Sequence, residues 1–177
     1  MTKIADAFGK EKTALMPYFT IGYPDYETSL DVITACVDAG ADLMELGMPF
    51  SDPLADGPTI QHSTQVALEN GITVKDCLKA VAELRENGVK IPLILMGYIN
   101  PVLAYGVEKF ITDAAKAGVS GFIIPDMPPS EAKEMTEFCE KSGLDIIFLL
   151  PPNSSDERMR VVTELSRGFV YLVSVLG

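Results

Sequence analysis

Tryptophan is missing from this chain and histidine occurs once, as His62. One imidazole cannot build a His-based metal site or a Ser-His-Asp triad, so chemistry falls to carboxylates, hydroxyls, lysines or backbone groups. Cysteine is scarce too. Cys36, Cys77 and Cys139 form no C-x-x-C pair and read as small apolar residues of a reducing, cytoplasmic compartment. Cations are outnumbered, 14 Lys and Arg against 25 Asp and Glu, for a net charge of −11. Such a chain has no footprint for nucleic acid or an anionic membrane surface. No apolar run approaches the roughly 18 residues of a membrane-spanning helix, and the first residues lack the apolar stretch of a secretory signal. Neither G-x-G-x-x-G nor G-x-x-x-x-G-K occurs, which argues against a dinucleotide fold or a P-loop.

What is present is apolar material in a regular order. The chain has 177 residues, 47% hydrophobic and 22% charged, enough for one domain spanning 1–177 with a sizeable core. Short β-rich runs recur at Leu15–Thr20, Leu43–Leu46, Pro92–Met96, Gly121–Ile124, Ile146–Leu149 and Val170–Val173. Between them, Tyr26–Ala39, Val74–Glu86, Val107–Ala117, Ser130–Lys141 and Asp156–Ser166 carry helical spacing; Leu30, Ile33 and Val37 form one such stripe. Thr73 with Asp76, and Ser154 with Glu157, read as capping boxes. Gly40, Gly88, Gly118, Gly143 and Gly168 each stand just before a strand, where a helix closes through a left-handed residue. This alternation predicts right-handed βαβ units and a parallel sheet. Six strands in 177 residues fit the first three-quarters of a (β/α)8 TIM barrel, which typically runs to about 250 residues. That reading is favoured over an open sheet.

Ten of the 12 prolines follow strand ends, so the stiff, irregular loops gather on the side where parallel α/β proteins bind ligands. The longest such loop follows the second strand. Glu45 lies inside the apolar run before it, and a carboxyl buried there without a partner is held protonated toward neutral pH, fit to donate a proton. A salt-bridged strand-end glutamate is the other reading. Asp52 and Asp56 sit in a proline-stiffened loop able to fix a second carboxylate, or they are simply turn formers. His62 reads as surface or helix-terminal.

The segment from Glu45 to Gln61, ELGMPFSDPLADGPTIQ, resembles the signature of the tryptophan synthase α subunit. The resemblance continues through Phe19–Asp25, Met96–Pro101, Pro125–Pro129 and Tyr171–Ser174, always at post-strand loops. It implies a TIM-barrel lyase of tryptophan biosynthesis that cleaves indole-3-glycerol phosphate to indole and glyceraldehyde 3-phosphate. The indole then passes to a β subunit carrying pyridoxal phosphate in an α2β2 heterotetramer, and the α chain needs no cofactor or metal of its own. Glu45 and Asp56 match the family's catalytic pair. Tyr18, Met96, Tyr98, Asp126, Leu149 and Tyr171 match positions lining its indole pocket, although for Tyr18, Met96 and Leu149 barrel-core packing is an equal reading. Asp52 and Asn100 match loops facing the β subunit. The resemblance also implies that segments beyond Gly177 supply two further βα units and the phosphate grip, so residues 1–177 alone are expected not to turn over. The alternative is a non-catalytic fragment that only docks on the β subunit. A Schiff-base aldolase would need a lysine inside a strand, and every lysine falls in a helix, a turn or the N-terminus.

Overall fold

A computed structural model describes residues 3–9 and 13–174. Five short strands, β1 (Tyr18–Thr20), β2 (Met44–Gly47), β3 (Leu93–Met96), β4 (Gly121–Ile123) and β5 (Asp145–Ile147), form one all-parallel sheet in sequential order. Beyond β5 the chain continues after Phe148 into β6 (Leu149–Leu150), which pairs with β7 (Tyr171–Leu172), also parallel. Together β5 and β6 are the fifth predicted strand, interrupted where the Phe148 N–H donates to the Ser166 hydroxyl at 3.3 Å. Six barrel strands therefore stand where the sequence puts them. Among the described residues β1 pairs only with β2 and β7 only with β6.

Seven helices connect the strands among the described residues: α1 (Tyr26–Asp38), α2 (Pro58–Glu69), α3 (Val74–Glu86), α4 (Ile99–Tyr105), α5 (Val107–Ala117), α6 (Lys133–Ser142) and α7 (Asp156–Leu165). The Thr73–Asp76 capping box opens α3, with the Thr73 N–H donating to Asp76 Oδ2 at 2.9 Å. The other predicted box does not form, and a simple cap stands one residue later. Ser155 caps α7 by accepting from the Arg158 N–H, while the Ser154 hydroxyl turns back to the Pro151 carbonyl at 2.7 Å. Helix α6 starts at Lys133 rather than Ser130, because Pro128 and Pro129 lead into a tighter 3-10 turn over Pro129–Glu131. Two helices hide in proline-bearing loops. Pro58 is the first residue of α2, and Pro101 falls in the first turn of α4, where no backbone N–H is required.

Strand periodicity sorts the core into two compartments. Met44, Leu46, Leu93, Leu95, Phe122 and Ile146 face the helices. Leu43, Ile94, Ile123 and Ile147 point into the barrel and are closed from below by Ile4 of an N-terminal 3-10 turn, Ile4–Phe8. Burial on both faces is why these strands read as unbroken apolar runs. The half-buried Arg85 ties the amino end together. Its guanidinium donates to the carbonyls of Gly118 (2.9 Å), Val89 (2.9 Å) and Ile91 (2.7 Å) and to the Ser120 hydroxyl, joining α3 to the approaches of β3 and β4. A lysine ammonium cannot reproduce that planar fork. Arg85→Lys is expected to cost about 2 kcal/mol and lower Tm by roughly 6 °C, read by thermal unfolding at fixed pH; an unchanged Tm would contradict this role.

Candidate active site

The inward side of the barrel changes character one step above its apolar floor. Leu43, just before β2, belongs to that floor, and Glu45 on β2 is the next inward residue. The strand register sets Glu45 beside Tyr18 on one side and Ile94 on the other. Glu45 is 4% exposed, and its carboxyl makes no hydrogen bond or ion pair with any described residue. Burial, reinforced by the negative charge of Asp56, lifts its pKa to about 7. The salt-bridged reading of Glu45 is therefore excluded among the described residues.

Asp56 reaches the same cavity from the loop after β2. Three contacts fix that loop: the Asp56 N–H donates to the Pro53 carbonyl at 3.1 Å, Gln61 Nε2 to the Asp56 carbonyl at 2.8 Å, and the Ala55 N–H to the Tyr98 hydroxyl at 2.8 Å. Burial raises the Asp56 pKa, and a hydrogen bond from Tyr98 opposes that rise. The two carboxyls thus sit in different surroundings, the arrangement that separates an acid from a base.

The cavity, about 520 Å³, lies at the carboxyl ends of the strands. Of the residues predicted from sequence, Glu45, Asp56, Tyr18, Met96, Leu149 and Tyr171 all line it. Burial, then the charges of Glu45 and Asp56, raises the Tyr171 pKa. Tyr98 and Asp126 stand apart from it. Tyr98 is buried beneath the Asp56 loop, and the Asp126 carboxylate accepts the Ile99 N–H at 2.9 Å at the start of α4. Both border a neighbouring cleft of about 310 Å³ that also contains the exposed Asp52 and Asn100. His62 is exposed on α2 with its ring edge-on to Tyr23.

Some contributors escape sequence reasoning. Ile60 and Pro125 line the cavity, and the buried hydroxyls of Thr20 and Ser63 lie beside it, 2.7 Å apart. Thr20 was within reach as the next inward residue after Tyr18; Ser63 needed the packing of α2 on β1. A second cavity of about 560 Å³ opens at the amino end, beside Lys3, Asp145 and Arg167. Its carboxylate is offset by two cations, unlike Glu45. Among the described residues no group of three or more His, Cys, Asp or Glu could hold a metal ion, and no strand carries a lysine. No helix there is long and apolar enough to cross a membrane.

A parallel α/β barrel of the TIM type with a buried glutamate and a half-buried aspartate at its carboxyl end defines the class. Residues 4–177 match the sequence model of the tryptophan synthase alpha chain family. A tryptophan synthase alpha chain from Dehalococcoides mccartyi is 52% identical over 177 residues, covering all of this chain and 69% of the relative. Another from Roseiflexus castenholzii is 50% identical over 181 residues, again all of this chain and 69% of the relative. Among solved structures, the alpha subunit from Legionella pneumophila superposes with a TM-score of 0.93 at 38% identity, covering 98% of this chain and 68% of that one. Tryptophan synthase from Mycobacterium tuberculosis gives 0.93 at 43%, covering 98% and 67%. The chain belongs to the tryptophan synthase alpha chain family, a family of lyases.

The raised Glu45 pKa has a thermodynamic consequence. The folded state holds this proton more tightly than the unfolded chain, whose glutamate titrates near 4.5. The associated stability is fully present below pH 4.5 and is lost as pH rises through about 7. Glu45→Gln is expected to unfold at a higher temperature than the wild type at pH 8.5, by an increment of up to about 3 kcal/mol, and at nearly the same temperature at pH 5. Equal differences at both pH values would show that Glu45 is solvated.

Proposed function

We propose that this chain carries the acid–base groups for the α reaction of tryptophan synthase, the retro-aldol cleavage of indole-3-glycerol phosphate to indole and glyceraldehyde 3-phosphate. The observation that supports it most is a glutamate buried at a barrel mouth with no cation beside it among the described residues, facing a second carboxyl of different environment. Near neutral pH Glu45 exists in both protonation states. As acid it delivers a proton to indole C3. As base it takes the proton from the hydroxyl on the carbon attached to C3. The carbon–carbon bond then breaks, its electron pair passing into the ring as the aldehyde forms. Asp56 accepts a hydrogen bond from the indole N–H and stabilises the ring charge that develops on protonation. Met96, Leu149 and Tyr171 supply apolar walls for the indole. Tyr98 acts from outside the cavity by holding the Asp56 loop, and Asp126 by capping α4.

The indole is passed to a β subunit that carries the pyridoxal phosphate, in an α2β2 assembly. The cleft bordered by Asp52 and Asn100 is the face assigned to that partner. One structural relative is a tryptophan synthase complex from Pyrococcus furiosus, which superposes with a TM-score of 0.86 at 42% identity.

Residues 1–177 joined to the part of the Dehalococcoides relative outside the aligned stretch are expected to release indole from indole-3-glycerol phosphate. Glu45→Gln in that chimera should lower kcat at least 1,000-fold, the order assigned to general acid–base groups, while substrate affinity changes less than about threefold. A near-wild-type rate for Glu45→Gln would remove the residue from its role. The 177 residues alone are expected to give no measurable indole, and indole release by them would contradict the assignment of the phosphate grip to other segments. Activation of the β subunit without cleavage by the chimera would favour a docking role instead.

A further inference from the structure

The loop that carries Asp56 closes over a single buried side chain. Its departure from β2 is pinned to β3, the Met48 N–H donating to the Met96 carbonyl at 2.7 Å. That approach needs glycine at 97, because a Cβ there would lie 2.7 Å from Met48 Cε and 3.0 Å from Met48 Cβ. The next residue, Tyr98, lies beneath the loop and is 4% exposed. Its ring is 5.2 Å from that of Phe50, and its hydroxyl accepts the Ala55 N–H at 2.8 Å, so both limbs of the loop rest on it.

Proton counting fixes what the hydroxyl does next. An amide N–H can only donate, so toward Ala55 the Tyr98 oxygen is an acceptor. Its own proton is left for its other partner, the Asp56 carboxyl. An ionised carboxylate has no proton to offer and takes this one in a charge-assisted bond. The order is thus Ala55 N–H to Tyr98 to Asp56. No lysine or arginine lines the cavity among the described residues. A hydroxyl, rather than a cation, is what favours charge on Asp56 there. Glu45 has no such donor among the described residues.

We propose that Tyr98 is a positioning residue: its hydroxyl, held from behind by the Ala55 N–H, donates to the Asp56 carboxylate and fixes Asp56 as the ionised, hydrogen-bond-accepting member of the carboxyl pair. Glu45 is thereby left as the member that carries the proton. The catalytic consequence rests on the function proposed above; the contact itself does not. The titratable groups facing Asp56 are Glu45 from β2, Tyr18 from β1, Tyr171 from β7 and Tyr98 from the β3 loop. Behind Tyr98 stands one more carboxylate, Asp126.

The test is a carboxyl titration of the 177-residue chain labelled with 13C at aspartate Cγ, the Asp56 signal being identified by its loss in Asp56→Asn. Tyr98→Phe keeps the ring against Phe50 and removes only the hydroxyl. It should raise the Asp56 midpoint by about 1 unit, the size of one hydrogen bond to a charged group. In the chimera the acid limb of the kcat/KM profile should move up with it. A midpoint that stays or falls overturns the proposal, and a limb that stays while the midpoint rises overturns its catalytic half. In the unmodified chain the assigned Tyr98 hydroxyl proton should shift downfield as Asp56 ionises, with the same midpoint. A proton indifferent to that titration overturns the proposal as well, and this measurement carries the test should Tyr98→Phe not fold. Failure of the Glu45→Gln kinetics leaves the Asp56 titration readable, and failure of the titration leaves those kinetics standing.

Discussion

A charge that cannot be solvated governs this molecule. Placing Glu45 among Leu43, Ile94 and Tyr18 removes water from its carboxyl, and no arginine or lysine among the described residues replaces it. The carboxyl responds by keeping its proton up to about pH 7. Asp56 strengthens the effect, because two negative charges in one cavity oppose each other. Function and stability therefore pull in opposite directions at this residue, a common price at sites where a pKa has been moved.

The scaffold's task is to hold those groups still. The strands are short, yet β2, β3 and β4 are buried on both faces and locked between neighbours, so their carboxyl ends are firm platforms. The loop carrying Asp56 has no strand to rest on. It relies on prolines at 49, 53 and 58 and on the Tyr98 hydroxyl, which accepts the Ala55 N–H from below. Tyr98 thereby links the β3 loop to the catalytic loop, and on its far side opens the cleft of Asp52 and Asn100. Ala55, on the same loop, lines both the carboxyl cavity and that cleft.

Much of this was legible in the sequence. The six strands fell into place because buried parallel strands are continuous apolar runs, and the five glycines before strands all adopt positive φ. Glu45 stood out because a carboxylate in such a run violates the pattern. The misses have separate causes. Helix α2 begins at Pro58, ahead of His62, and α4 carries Pro101 in its first turn; prolines there mimic loop signals although the first turn of a helix tolerates them. The cap on α7 fell on Ser155 because adjacent serines compete for one position. Motif position says nothing of the backbone N–H groups that Asp126 and Tyr98 also serve, at Ile99 and Ala55, or of the hydrogen bond Tyr98 makes to Asp56. The Thr20–Ser63 contact joins residues 43 apart and had no local signal.

Difference infrared spectroscopy gives the most direct view of the central carboxyl, with wild-type and Glu45→Gln proteins compared from pH 4 to pH 9. A protonated-carboxyl stretch that is present in the wild type, absent from the variant, and disappears with a midpoint at about 7 is the predicted result. A band already gone at pH 5.5, the behaviour of an ordinary hydrated glutamate, would contradict it.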